Sequence, residues 1–92
     1  MPDFTVVLTE RAVADLERLR LRARLQVSQD IASLTRGPLP PRPGLKKLKG
    51  YRPPLYRLRA GDYRVLYRVI DKMITVIRVI DRRDLERTLG GM

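Results

Sequence analysis

The first half of the chain joins one short apolar run to a long helical pattern. Residues 4–8, FTVVL, are β-branched or apolar, which favours a short strand. Thr9 follows as a suitable helix N-cap, and neither glycine nor proline occurs from there to Thr35. Apolar residues then recur every three or four positions and form one helical stripe: Ala12, Leu16, Leu19, Ala23, Val27, Ile31 and Leu34. Leu21 and Leu25 lie outside this stripe, so we predict two helices packed as a hairpin, broken near residues 20–22.

A period of two residues replaces the helical pattern in the second half. The segment GPLPPRPG, residues 37–44, holds four of the seven prolines and predicts an extended connector. Three strands are predicted after it, separated by turns at Gly61-Asp62 and Asp71-Lys72. The polar residues 81–89 predict a short last helix. The strands cover residues 55–60, 63–70 and 74–80.

This order of elements predicts an α+β fold for one domain spanning residues 1–92. We expect an N-terminal strand, a two-helix hairpin and then a three-stranded antiparallel meander, with the helices packed on one face of the sheet. The alternation within the strands assigns each residue to a face. Arg57 and Arg59 share one face, and the other carries Tyr56, Leu58 and Ala60. Arg64 and Arg68 likewise alternate with Tyr63, Val65, Tyr67 and Val69.

Charge changes this picture because it is concentrated on the predicted strands. The chain has 20 basic and 10 acidic residues, a net charge of +10. Residues 42–68 alone carry nine basic residues and one acid, Asp62. Solvated surface charge explains a diffuse excess, whereas a concentrated excess favours a polyanionic partner such as RNA, DNA or an acidic protein.

Several classes of chemistry have no support in the sequence. Cysteine and histidine are both absent, which removes thiolate and imidazole metal ligands and the usual proton carrier near neutral pH. No nucleotide-binding glycine loop, zinc-protease motif or serine-hydrolase motif occurs. We therefore expect neither a metal nor a cofactor. The start, MPDFTVVLTE, does not resemble a secretory signal, and no apolar run is long enough for a membrane span, so a cytoplasmic protein without membrane contact is expected.

Three segments together resemble the RelE/ParE superfamily of bacterial toxins, and the RelE branch in particular. They are LKKLKG at 45–50, YRLRAGDYRVLYRVID at 56–71 and VIRVIDRRDLER at 76–87. The resemblance implies the RelE-like microbial RNase fold and a toxin of a type II toxin–antitoxin system. RelE-like toxins cleave messenger RNA in the ribosomal A site, and ParE-like toxins inhibit DNA gyrase. The implied partners are a cognate antitoxin, here expected to carry an acidic segment, together with the ribosome and messenger RNA.

The resemblance also implies a set of site residues. Arg57, Arg59 and Arg64 match basic positions on the middle strands, and Arg83 or Arg82 matches an arginine after the last strand. Guanidinium groups suit RNA cleavage because one guanidinium group can donate hydrogen bonds to two oxygens of the same phosphate. Further residues are predicted to bind RNA. These are Arg82, the lysines Lys46, Lys47 and Lys49, which are expected in a basic loop, and Tyr51 as a stacking partner for a base.

The C-terminal segment departs from the family pattern. Asp81 stands where the family often has histidine, and Glu86 stands where it has a late tyrosine. The group that takes the 2′ proton during RNA cleavage is therefore missing or replaced. Glu86 is one candidate base, and Lys47 or Lys49 is the alternative; Glu86 is otherwise a surface residue of the last helix. Three functions remain open: an endoribonuclease, a gyrase inhibitor without chemistry of its own, and a catalytically weakened RNA-binding homologue.

Overall fold

The structure is a computed structural model, and it describes residues 3–92. Two helices follow the first strand, four strands follow the connector, and a third helix ends the chain. Short 3₁₀ turns lie at Leu34–Arg36 and Arg82–Asp84. The strands are β1 (Thr5–Leu8), β2 (Leu45–Leu48), β3 (Leu55–Ala60), β4 (Tyr63–Ile70) and β5 (Met73–Asp81). The helices are α1 (Glu10–Glu17), α2 (Leu21–Ser33) and α3 (Leu85–Gly90).

The strands form one mixed sheet in the order β1-β5-β4-β3-β2. β1 runs parallel to β5, and the other neighbouring pairs are antiparallel. The α+β class, the N-terminal strand, the helical hairpin and the meander are confirmed. The sequence prediction missed β2, which converts Lys46 and Lys47 from loop residues into residues of an edge strand.

Helices α1 and α2 cover one face of the sheet, as predicted. Thr9 caps α1 by accepting a hydrogen bond from the Ala12 backbone N–H at 3.1 Å. The break between the helices lies at residues 18–20, slightly earlier than predicted, and α2 begins at Leu21. Leu21 and Leu25 are exposed, in agreement with their position off the apolar stripe. The helical part of the core is Ala12, Val27, Ile31 and Leu34, packed against Leu58, Val65, Tyr67, Ile74 and Val76 of the sheet.

Beside a β-bulge in β5, the N-cap of α1 and an acidic residue of α1 bind backbone groups of that strand. Pairing along β4 jumps from Leu66–Arg78 to Tyr67–Val76, so one extra residue, Ile77, stands in β5. β1 ends opposite Val76, so the next backbone groups of β5 have no strand partner on the β1 side. Thr9 Oγ1 donates to the Ile77 carbonyl at 3.1 Å. Asp15 accepts from the Val79 N–H at 2.9 Å and pairs with Arg78 at 2.8 Å.

The opposite side of the sheet, here called the second face, has an apolar cluster of its own. The sequence interpretation left this face to the cations, but Leu55, Leu66 and Ile80 are buried on it. Leu85 and Leu89 of α3 pack against these three residues. This packing shields the apolar side chains of the sheet face from water. The second face is therefore divided: α3 covers its centre, and basic residues lie beside α3.

The proline-rich connector is fixed by an arginine and a tyrosine. The Arg42 guanidinium donates to the carbonyls of Ser33 and Gly37, at 3.1 and 2.9 Å. The buried Tyr67 hydroxyl donates to the Pro38 carbonyl at 2.7 Å. Arg42 therefore stabilises the connector, even though it belongs to the basic segment of residues 42–68. Nowhere in residues 3–92 is a helix both long and apolar enough to cross a bilayer.

Candidate functional site

Strand register brings the basic residues of the second face together. Arg59 on β3 lies directly opposite Arg64 on β4, and Lys46 on β2 lies opposite Arg57 on β3. Side chains at directly opposed positions of an antiparallel pair have Cβ atoms about 4.5–5.5 Å apart. The alternation in the sequence predicted that these arginines share a face, and the register now shows that they are also neighbours.

Arg82 joins these residues from the 3₁₀ turn after β5. Its backbone N–H donates to the Asp62 carbonyl at 2.9 Å, which ties the end of β5 to the turn between β3 and β4. Burial, followed by the positive charges of Arg57, Arg59 and Arg82, lowers the pKa of Arg64. Burial and then Arg59 likewise lower the pKa of Arg57. We call these four residues, Arg57, Arg59, Arg64 and Arg82, the arginine cluster.

Within the part of the chain that the structure describes, no member of the arginine cluster forms an ion pair with an acidic side chain, although the charge of Asp62 acts to raise the pKa of Arg64. The ion pairs found in residues 3–92 are Asp15–Arg78, Asp81–Arg83 and Asp84–Arg87. None of them involves the nine basic residues of the segment 42–68. Arginine remains charged at neutral pH, so four neighbouring guanidinium groups repel one another. A bound polyanion relieves that repulsion, and this makes the cluster a suitable phosphate site.

Backbone contacts hold one member of the cluster in place. Arg64 Nη1 donates to the carbonyls of Gly61 and Tyr63, at 2.9 Å each. Gly61 has a positive φ of 60°, which a glycine adopts without steric cost, and it forms the tight turn that presents its carbonyl to Arg64. Because one nitrogen is fixed by the backbone, the Arg64 guanidinium is oriented before any ligand arrives.

Arg83, which the sequence analysis placed in the catalytic group, has a different environment from Arg82. Its Nε and Nη2 atoms contact the two carboxylate oxygens of Asp81 at 3.1 and 3.2 Å. This pairing raises the pKa of Arg83, and hydrogen bonds from Arg83 lower the pKa of Asp81. The Arg83 side chain is 81% exposed. Of the two consecutive arginines, the structure brings Arg82 to the cluster and pairs Arg83 with an acid.

The remaining predicted residues differ in their exposure and in the elements that carry them. Glu86 is exposed on α3. Lys47 and Lys49 are exposed, but Lys47 has the opposite strand parity from Lys46 and is paired with Tyr56 in the register. Tyr51 is half-buried in the apolar cluster of the second face, and its hydroxyl lies 3.5 Å from the Leu89 carbonyl of α3.

An open depression beside β2 includes a cation that sequence reasoning missed. Arg52 is exposed in the loop between β2 and β3 and lines this depression together with Lys47, Lys49 and Tyr51. It falls outside both the strand alternation and the LKKLKG string. Its signal in the sequence is its position next to Tyr51, within the same basic segment.

The strand tyrosines belong to the core rather than to the exposed surface, as the alternation predicted. Tyr67 is fully buried, and burial raises its pKa. Tyr56 stacks on Tyr67 with ring centroids 5.6 Å apart. Tyr63 packs at the margin of the same core. These rings are therefore turned away from the arginine cluster.

The chain is similar to known toxins of toxin–antitoxin systems in both sequence and structure. Residues 6–86 match the family model of the ParE toxin of the type II toxin–antitoxin system parDE. The RelE–RelB complex of Pyrococcus horikoshii contains a similar chain, with 30% identity, a TM-score of 0.74, and coverage of 87% of this chain and 96% of that one. The RelBE2 complex of Mycobacterium tuberculosis gives 30% identity, a TM-score of 0.75, and coverage of 87% and 99%.

More distant structures share the fold. A double-mutant RelE toxin of Escherichia coli in the free state matches with 24% identity and a TM-score of 0.63, over 97% of this chain and 93% of that one. A search of curated proteins gave no match.

Proposed function

This chain belongs to the RelE/ParE superfamily of toxins from type II toxin–antitoxin systems, and from that membership we propose that it cleaves messenger RNA in the ribosomal A site. The observation that carries the proposal is the arginine cluster, four neighbouring cations that form no ion pair with an acid among residues 3–92. Such a surface is costly to maintain unless it binds a polyanion, and single-stranded RNA presents closely spaced phosphates.

The proposed reaction uses the ribose 2′-OH as the nucleophile. Its oxygen attacks the adjacent phosphorus, the bond from phosphorus to the 5′ oxygen breaks, and a 2′,3′-cyclic phosphate is left. A base takes the 2′ proton, and an acid returns a proton to the leaving 5′ oxygen. Arg57, Arg59, Arg64 and Arg82 stabilise the charge that builds up on the phosphate oxygens, which is usually the largest contribution to such a rate enhancement.

Residues around the cluster have supporting tasks in this proposal. Lys46, opposite Arg57, extends the positive surface towards β2 and binds a neighbouring phosphate. Lys49, Arg52 and Tyr51 line the depression where the next nucleotide lies. Glu86 and the pair Lys47 and Lys49 remain the candidates for the base.

A second function, inhibition of DNA gyrase, is favoured by one observation: the matching family model is that of the ParE toxin. The basic second face then binds a protein or DNA, and no base is needed. The two functions differ in their effect on growing cells, because gyrase inhibition stops replication before translation.

Expression without a partner should stop bacterial growth by halting translation. We expect methionine incorporation to fall before thymidine incorporation, because A-site cleavage destroys the message on the ribosome. Primer extension on messenger RNA from a translating extract should show new 5′ ends at A-site positions. An early fall in thymidine incorporation without new 5′ ends would support the gyrase function instead.

The partner of this toxin is proposed to be an antitoxin with an acidic segment that covers the second face. Two similar chains of known structure come from toxin–antitoxin complexes, RelE–RelB of Pyrococcus horikoshii and RelBE2 of Mycobacterium tuberculosis. In this chain the basic segment 42–68 is the surface that such a segment would neutralise. A partner that displaced α3 would also uncover the apolar residues Leu55, Leu66 and Ile80.

The association rate of toxin and antitoxin should fall steeply as salt rises. Electrostatically steered encounters lose their rate advantage when ions screen the charges. Stopped-flow mixing at low and physiological ionic strength measures this directly. A matched comparison is Arg59→Ala against Arg22→Ala, since Arg22 is exposed on α2 and carries the same charge. A rate unaffected by salt, or equal for the two variants, would place the partner on the helices.

A further inference from the structure

Asp81 occupies the junction between β5 and the 3₁₀ turn that carries Arg82. Its Oδ1 atom accepts a hydrogen bond from the Arg83 backbone N–H at 2.9 Å, which caps this turn. Its carboxylate also contacts the Arg83 guanidinium at 3.1 and 3.2 Å. One acidic side chain therefore fixes both the backbone and the side chain of Arg83.

The same junction is fixed from the opposite side by the turn between β3 and β4. The Arg82 N–H donates to the Asp62 carbonyl at 2.9 Å, and Arg64 Nη1 donates to the neighbouring Gly61 carbonyl at 2.9 Å. Gly61 and Asp62 thus form a shared support for two members of the arginine cluster. The direction in which Arg82 leaves this support depends on the course of the backbone at residues 81–83.

We propose that Asp81 is a positioning residue for the phosphate site and acts through Arg82. By capping the turn, it holds the backbone so that Arg82 points to the arginine cluster while Arg83 is held apart. This inference rests on the proposed function, because it assigns Asp81 a task in RNA binding. Asp81 does not contact the substrate in this scheme and is not a catalytic residue.

A simple charge argument predicts the opposite effect. A carboxylate near a phosphate site repels RNA, so its removal should tighten binding. Asp84 provides a matched control: it is an acid of the same segment, it pairs with Arg87 at 2.8 Å, and it caps no turn with its side chain. Asp81→Ala and Asp84→Ala remove the same charge, and Asp81→Ala alone also removes the cap.

The test measures binding of the purified toxin to a fluorescent 2′-O-methyl RNA oligonucleotide, which cannot be cleaved. We expect Asp81→Ala to weaken binding about tenfold, whereas Asp84→Ala leaves it unchanged or tightens it. Asp81→Asn should stay within about threefold of the parent, because the asparagine oxygen is also a good cap. Asp81→Ala should cause no further loss in an Arg82→Ala background.

Two outcomes would overturn the proposal. The first is tighter binding of Asp81→Ala, equal to that of Asp84→Ala, which would make Asp81 a source of repulsion alone. The second is a loss in Asp81→Asn equal to that in Asp81→Ala. Should Asp81→Ala fail to fold by thermal unfolding, Asp81→Ser takes its place: serine caps without the charge and should retain binding.

Amide hydrogen exchange separates this inference from the proposed function. Under the proposal, exchange at the Arg82 and Arg83 amides accelerates in Asp81→Ala and stays slow in Asp81→Asn, whether or not the parent cleaves RNA. A parent toxin that lacks A-site cleavage but shows this exchange pattern and the binding differences contradicts only the proposed reaction. Unchanged exchange in Asp81→Ala contradicts the positioning task itself.

Discussion

Replacing Arg64 with alanine should lower the rate of A-site cleavage by about 10²–10³-fold, the usual loss when one oriented donor to a developing negative charge is removed. Arg64 is the member of the arginine cluster whose orientation is fixed by two backbone carbonyls, those of Gly61 and Tyr63. Its contribution therefore requires little reorganisation when RNA binds. The rate is measured by primer extension, and growth arrest on expression should disappear with it.

The fold should tolerate this substitution. Arg64 is half-exposed on the second face, and truncation leaves the buried residues Val65 and Leu66 in place. The variant loses two hydrogen bonds to the turn but is also relieved of repulsion from Arg57, Arg59 and Arg82. We expect the free energy of unfolding to change by no more than about 0.5 kcal/mol.

Arg22→Ala is the control for a general loss of positive charge. Arg22 is exposed on α2, on the side of the sheet away from the cluster. If attraction of RNA to a basic protein were the whole effect, the two variants would lose activity equally. A large loss of stability in Arg64→Ala would instead identify Arg64 as a structural residue of the β3–β4 turn and remove it from the mechanism.

Most of this fold could be predicted from local sequence patterns, because the strands of the meander show a clear alternation of residue types. The alternation in residues 55–60 and 63–70 places the same side chains in the core as the structure does, and the strand bounds agree. β2 was missed because LKKL is short and has lysines at its centre. Leu45 reaches the core only because it lies opposite Leu58.

The second face shows where alternation alone is insufficient. Leu55, Leu66 and Ile80 share this face with the arginines and form a buried apolar cluster that the sequence did not predict. The cover comes from α3, whose apolar residues Leu85 and Leu89 lie far along the chain. A signal was present, since a leucine between two arginines on an exposed strand face needs shielding. The β-bulge at Ile77 also interrupts the alternation and cannot be located from residue types.

The different environments of Arg82 and Arg83 could not be predicted from the sequence either. Two consecutive arginines after a strand present equivalent charge and spacing. The distinction arises from Asp81, which pairs with Arg83, and from the backbone contact between Arg82 and Asp62. Both contacts depend on the geometry of a 3₁₀ turn. The sequence singled out Asp81 as a departure from the family pattern, but the structure was needed to identify its contacts.

Glu86 presents the remaining question of the mechanism, because it stands where related toxins have a late tyrosine. It follows Leu85, which packs α3 onto the second face, yet its own side chain is exposed. Its neighbour Arg87 pairs with Asp84, and in residues 3–92 no ion pair connects Glu86 to an arginine. An exposed carboxylate beside a phosphate site adds repulsion and cannot stack on a base.

We therefore expect Glu86→Tyr to raise A-site cleavage by about tenfold, since stacking on an aromatic ring is worth ~1–3 kcal/mol per base. Glu86→Gln should change the rate by less than about threefold, because removal of a nearby charge is a small effect at an exposed position. Glu17→Gln, an equal charge change at an exposed position of α1, is the control. A fall of about 10²–10⁴-fold in Glu86→Gln would instead identify Glu86 as the base, and Glu86→Tyr should then be no faster than Glu86→Gln. If neither substitution changes the rate, Glu86 has no part in the reaction, and Lys47 and Lys49 become the residues to test for uptake of the 2′ proton.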